Sequence, residues 1–249
     1  RTPSRYERDA VLLVVVDAAG APGNPTGLPI YTNLLGASDR SARLISFEAG
    51  IRASIAPGWS LDIAGYHNDY ADMASAAFGS VAPIFVEGIP FPVALDSNID
   101  LVAEGSVDTW GGEVTLAGQL QPWWQVQLNW SHFNYSVGEN AVTGQPYNLL
   151  TQPSASPRNQ FKASSAIDFS NDISFNADLR HIGEIAGGMV PAYFTADVRL
   201  SASPLPNLEL SLIGENLFEA RHIEFYEPGY PAPVGFVPRS VAAEVRYRF

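Results

Sequence analysis

The chain has no cysteine and few basic residues, with 14 Lys and Arg against 26 Asp and Glu. Without thiols there is no disulfide framework, thiolate metal centre or cysteine nucleophile, and the redox compartment is left open. The formal net charge of −12 excludes the clustered cations that counterion release demands of a nucleic-acid-binding protein. Long apolar runs are missing too: the longest, Ala10 to Val16, falls far short of the roughly 20 residues of a membrane-spanning helix. RTPSRYERDA at the start has neither an initiator Met nor the apolar core of a signal peptide, so the chain reads as a fragment.

The sequence is nevertheless 46% hydrophobic and 16% charged, the balance of a packed or embedded chain. Its apolar residues recur at every second position, the strand period, over segments longer than the usual strand of about 5 or 6 residues. Phe47, Ala49, Ile51, Ala53 and Ile55 share one face; Glu48, Gly50, Arg52 and Ser54 share the other. The same division marks Trp124, Val126, Leu128 and Trp130 against Gln125, Gln127, Asn129 and Ser131, and the final stretch from Val241 to Phe249. Leu208, Leu210 and Leu212 follow it, but Ile213 falls on the polar face.

Nine long strands are expected near 43–56, 59–71, 101–120, 124–137, 157–169, 173–186, 191–202, 208–218 and 238–249, with shorter ones near 10–16 and 28–35. The connections alternate: Pro57-Gly58, 121–123, 170–172 and 203–207 are short, 72–100, 138–156 and 219–237 are long, and only the link near 187–190 breaks the rhythm. Short turns on one side, long loops on the other and strands of about 9–11 residues or more describe an antiparallel transmembrane β-barrel of the bacterial outer membrane. A soluble β-sandwich also alternates, but with shorter strands and without this loop rhythm. Short turns place Phe249 on the periplasmic side and nine crossings place the beginning outside, so an even, closed barrel implies further strands upstream. This segment alone is then expected not to close as a monomer.

Trp59, Trp123 and Trp124 follow short turns and Tyr135, Tyr193 and Tyr247 lie near strand ends, as interface girdles do, although aromatics are common in any strand. An Arg on a lipid face costs about 2–4 kcal/mol near the midplane, so Glu48, Arg52, Glu113, Lys162, Arg180, Arg199 and Arg246 are expected to face the lumen. There they either hold a plug by ion pairs or keep the wall hydrated.

LSLIGENLFEARHIEF, followed by VPRSVAAEVRYRF, resembles the closing segment of TonB-dependent outer-membrane receptors. Asn216, Leu217 and Phe218 match the family's Asn-Leu-Phe motif, Pro238, Arg239 and Ser240 match the lead-in to the last strand, and Phe249 matches the terminal aromatic. RTPSRYERD, LDIAGYHNDYADM and the stretch from Trp110 to Tyr135 are similar to internal strands of the same receptors. The resemblance implies that residues 1–249 are the C-terminal portion of a larger barrel whose N-terminal plug and TonB box this chain does not show. It also implies that Tyr247 and Phe249 belong to a terminal strand read by the β-barrel assembly machinery.

No nucleophile elbow, phosphate loop, paired zinc histidines or calcium loop appears, so no enzyme, cofactor or metal centre is expected. His222 and Glu224 are too few ligands to specify a metal. Phe85 and Phe91 in an apolar loop, and Tyr226 and Tyr230 among prolines in the last one, are candidate ligand contacts; loop-on-loop packing and a rigid lid are the plainer readings. The function implied by the resemblance is energy-coupled uptake of a scarce bulky nutrient, such as a ferric siderophore. Its partners are the TonB complex, outer-membrane lipid and a small-molecule or metal-chelate ligand. A passive porin and a structural or adhesive barrel are the alternatives.

Overall fold

The computed structural model describes residues 11–20, 24, 26–36, 40–140, 143–149, 153–170, 172–226 and 235–249. The two-residue period is realised as strands: β1 (Val11–Asp17), β2 (Ile30–Gly36), β3 (Arg43–Ala56), β4 (Trp59–Ile84), β5 (Ala94–Gln121), β6 (Trp124–Val137), β7 (Asn159–Ser170), β8 (Ile173–Ile182), β9 (Tyr193–Leu205), β10 (Leu208–Glu215), β11 (Arg221–His222), β12 (Val237–Pro238) and β13 (Ser240–Tyr247). The nine long strands expected correspond to β3 through β10 and β13. Among the described residues no helix is long and apolar enough to cross a membrane, which leaves crossing by strands untouched.

One expectation is corrected. Residues 72–100 are mostly strand: β4 continues to Ile84 and β5 begins at Ala94, leaving only 85–93 as the link. The stretch from Ala71 to Pro83 is dominated by Ala, Ser and Gly, whose small side chains erase the hydrophobic contrast that marks a strand in sequence.

The chain divides into two compact units. The first, here the wall, comprises Phe47–His67, Trp110–Asn134 and Pro153–Phe249. Its strands run antiparallel between sequence neighbours, and β10 is followed by β13 at the end of the order. Register is continuous from strand to strand: Trp124 opposes Ile167, Ile167 opposes Phe175, Phe175 opposes Leu200, and Leu200 opposes Leu212. That row is apolar throughout. Pro57-Gly58 joins β3 to β4, with proline fixing its own φ and Gly58 supplying the φ of 74° that a side chain would resist. Among the described residues β3 pairs only with β4, and β13 only with β10, so both edges are open.

The second unit comprises Arg1–Ser46, Asn68–Thr109 and Tyr135–Gln152. Here β1 and β2 form an antiparallel hairpin, and β2 lies parallel to β5 with Ile30 opposite Leu95 and Gly36 opposite Leu101. Asn24 holds the hairpin turn, donating from Nδ2 to the Ala18 and Leu28 carbonyls at 3.0 and 2.9 Å. Leu101, Ala103, Val107 and Leu149 are buried and supply this unit's core. Gly105 lets the strand pass close beneath them, since a Cβ there would press on the buried Leu149 side chain and approach the Met73 carbonyl.

Candidate functional site

The chemistry of the wall lies on its polar face. Strand pairing sets Lys162 opposite Arg180 and Asp178 opposite Asp197, like charges facing like. Directly opposed like charges are unfavourable, and the diagonals relieve them: Lys162 Nζ lies 3.1 Å from Asp178, and Arg180 Nη2 donates to Asp197 Oδ2 at 2.6 Å. Further along, Arg199 Nη2 reaches Glu244 at 3.0 Å and Glu209 at 3.6 Å, while Arg246 reaches Glu244 at 2.8 Å and Glu209 at 3.4 Å. On the hairpin of β3 and β4, Arg52 pairs with Asp62. Each of these five cations is thus matched by carboxylates of the same wall. All are partly solvated, so a single pair is worth only about 0–1 kcal/mol; the lattice fixes side-chain positions more than it stabilises.

Glu48 and Glu113 share that face by alternation, Glu113 lying two residues before Thr115, which accepts from Asn129 Nδ2 at 2.8 Å. Among the described residues neither has an ion-pair partner. Alternation places the partner carboxylates Asp178 and Glu209 on the polar face without pairing them to a cation, whereas nothing in the sequence reading singles out Asp62. A signal was available for Asp62, which stands as far after Pro57 as Arg52 stands before it.

The opposite face is apolar and exposed, including Phe161, Leu200, Leu212, Val241 and Val245. Aromatic residues gather near strand ends: Trp123 stacks with Trp124 at 6.1 Å, and Phe194 with Phe218 at 5.3 Å. The Trp124 indole donates to Ser165 Oγ at 2.9 Å. Gly118 is flat under the Trp59 ring, where a Cβ would collide.

The Asn216-Leu217-Phe218 motif closes β10. Asn216 has a φ of 54°, which turns the chain out of the strand. Its amide N donates to Asp197 Oδ1 at 2.9 Å, its Oδ1 accepts from Thr195 Oγ1 at 3.1 Å, and its Nδ2 donates to the Pro238 carbonyl at 3.2 Å. Leu217 covers Gly214, and Phe218 completes the Phe194 stack. Tyr247 pairs opposite Leu208 at the far end, and Phe249 is fully exposed.

His222 is buried, stacked 4.3 Å from Tyr193, with Nε2 2.8 Å from Glu224 Oε1 and no hydrogen-bond partner at Nδ1. Among the described residues no three His, Cys, Asp or Glu converge as a metal site. Phe85 and Phe91 are exposed on the 85–93 link. Tyr226 is half-buried after β11, and Tyr230 lies outside the described residues.

Residues 20–217 match the family model described as TonB dependent receptor-like, β-barrel. The fold is similar to a variant of the ferric enterobactin receptor of Pseudomonas aeruginosa in complex with enterobactin, at 18% identity and a TM-score of 0.68, over 99% of this chain and 37% of that one. It is also similar to the pyoverdine outer-membrane receptor of Pseudomonas aeruginosa bound to pyoverdine (16%, TM-score 0.60, 84% and 30% of the two chains). A third likeness is to the ferric yersiniabactin uptake receptor of Yersinia pestis (17%, TM-score 0.60, 88% and 31%). No curated protein sequence matches significantly. The chain therefore spans little more than a third of these receptors at most, and at such identity the likeness is one of fold. Since the family model covers most of the sequence, the chain belongs to the TonB-dependent receptor β-barrel family, whose members are receptors of the bacterial outer membrane.

Proposed function

We infer that this chain is the C-terminal wall of an outer-membrane receptor that takes up a scarce, bulky nutrient, a ferric siderophore being the leading class, with energy supplied through TonB. The supporting observation is the division of the wall into an exposed apolar face and a polar face whose cations are matched by its own carboxylates. Exposed apolar surface on this scale is tolerated in lipid and not in water. The polar face then lines the lumen. Because the wall neutralises Lys162, Arg180, Arg199 and Arg246 itself, a plug meeting this face is offered Glu48 and Glu113 as anions still open to pairing. Such a family transports and does not catalyse. The neighbours' cargoes, enterobactin, pyoverdine and yersiniabactin, support a chelate ligand for this receptor too.

The test is uptake of iron-loaded siderophores by cells carrying the natural full-length protein as their sole such receptor. Accumulation above a deletion strain, abolished by collapsing the proton-motive force, is expected. Uncoupler-insensitive entry of small solutes would favour a porin, and no accumulation of any chelate would favour a structural or adhesive barrel.

Phe85 and Phe91 are proposed as apolar ligand contacts, on the strength of their exposure at a strand-borne tip. Changing both to Ser is expected to lower uptake about tenfold at limiting ligand, the loss of two apolar contacts of roughly 0.7 kcal/mol each. Unchanged uptake at normal surface display would discard that role.

A further inference from the structure

Two non-glycine residues among those described have a positive φ, Asn216 and Asp72. Asn216 ends a strand, where a sharp exit is needed. Asp72, at 53°, lies inside β4, where extended backbone is the rule and a left-handed residue is strained. Aspartate visits this region more readily than most residues, yet strain persists only where neighbours over-determine it. Two neighbours do so here. Arg43 Nε donates to Asp72 Oδ2 at 2.7 Å, and Arg40 Nη1 lies 3.6 Å from Oδ1.

The place of this clamp gives it meaning. Arg43 is the first residue of β3, so the clamp stands where β3 begins to run beside β4. Beyond it β4 continues to Ile84, pairing with β5 and bridged once to the connecting segment through Ser75 and Leu149. The Arg40 and Arg43 side chains are 65% and 73% exposed, against 17% for Asp72. Ion pairs so open to water are weak and are screened by salt. A strained backbone residue is therefore held by a fastening that solvent can undo.

We propose that Asp72 is a strained pivot, fastened by Arg40 and Arg43, about which the part of β4 beyond residue 72 and its partner in β5 change their lean. When the fastening is made, the left-handed residue sets one direction for the hairpin; when it is released, Asp72 relaxes toward extended φ and the hairpin shifts. The pivot depends on no ligand and does not rest on the uptake reading.

Amide hydrogen exchange on the natural full-length protein tests it, reading segments 73–84 and 94–104. The Arg40→Ala, Arg43→Ala double variant is expected to exchange about tenfold faster there at low ionic strength, the signature of a locally opened segment. Raising the wild type to about 1 M salt should have the same effect, because the Debye length then falls to roughly 3 Å. Asp72→Gly removes fastening and strain together, so it should stay within about twofold of the wild type and lose the salt response. Wild-type exchange in the double arginine variant would overturn the pivot. So would an Asp72→Gly variant that opens as far as the double variant, which would make Asp72 a simple tether. The salt series needs no substitution, and a wild type indifferent to salt in these segments would overturn the pivot by itself.

Discussion

Arginine in place of Leu200 is expected to destabilise the folded receptor by about 2–4 kcal/mol, the penalty of a cation near the midplane of a lipid-facing strand. Leu200 lies mid-strand in β9, opposite Phe175 on one side and Leu212 on the other, in a row without a polar atom to receive a guanidinium. Gln127→Arg is the matched control. Gln127 opposes Ser164 on the polar face, whose neighbour Asp178 receives a hydrogen bond from that serine, so an added cation there meets water and acceptors. Its effect should remain within about 0.5 kcal/mol.

Equilibrium unfolding of the full-length protein from lipid vesicles in urea measures both. The contrast matters more than either value, because it assigns the faces. Equal penalties would mean that both faces are packed against protein, and a larger penalty at Gln127 would put lipid on the polar side. Either result would dismantle the barrel reading: the first leaves no lipid-facing side, and the second puts the ion-pair lattice in hydrocarbon.

The sequence disclosed strands well where side chains contrast and poorly where they do not. From Phe47 to Ile55 apolar residues alternate with polar or small ones, and the expected strand 43–56 coincides with β3. From Ala71 to Pro83 the contrast fades, and half of β4 reads as a loop. Ile213 shows the limit from another direction: it opposes Arg199 and Ala242, so it sits on the polar face as its spacing demands, and pairing with both neighbours fixes the register despite one mismatched side chain. The parallel alignment of β2 with β5 is invisible in the sequence, because residues 65 positions apart pair there and no local pattern records it. The candidate site was half visible. Alternation assigned Lys162, Arg180, Arg199 and Arg246 to one face, but which carboxylate each cation meets depends on register, and that is set by turn geometry and bulges such as the one between Leu208 and Leu210.

Asn216→Ala should cost about 2–4 kcal/mol, more than its single residue's surface would suggest, because two separate penalties combine. The first is conformational. Alanine at a φ of 54° places Cβ against its own backbone, and nothing local compensates as an asparagine side chain does. The second is the loss of side-chain bonds in a buried setting: the Thr195 hydroxyl, with no exposed surface, loses its acceptor, and the Pro238 carbonyl loses a donor. Asn216→Gly separates the two. Glycine takes the left-handed φ freely but restores neither bond, so about half of the loss should return. Unfolding midpoints of the wild type and both variants decide the matter, with heat-modifiable mobility reporting how much of each protein is assembled. If glycine is as damaging as alanine, the backbone carries no strain and the motif acts through its side chain alone. If glycine equals wild type, the bonds to Thr195 and Pro238 contribute nothing. The intermediate outcome would explain physically why asparagine opens the motif: it is the residue that both turns the chain out of β10 and ties that exit to β9 and to the lead-in of β13.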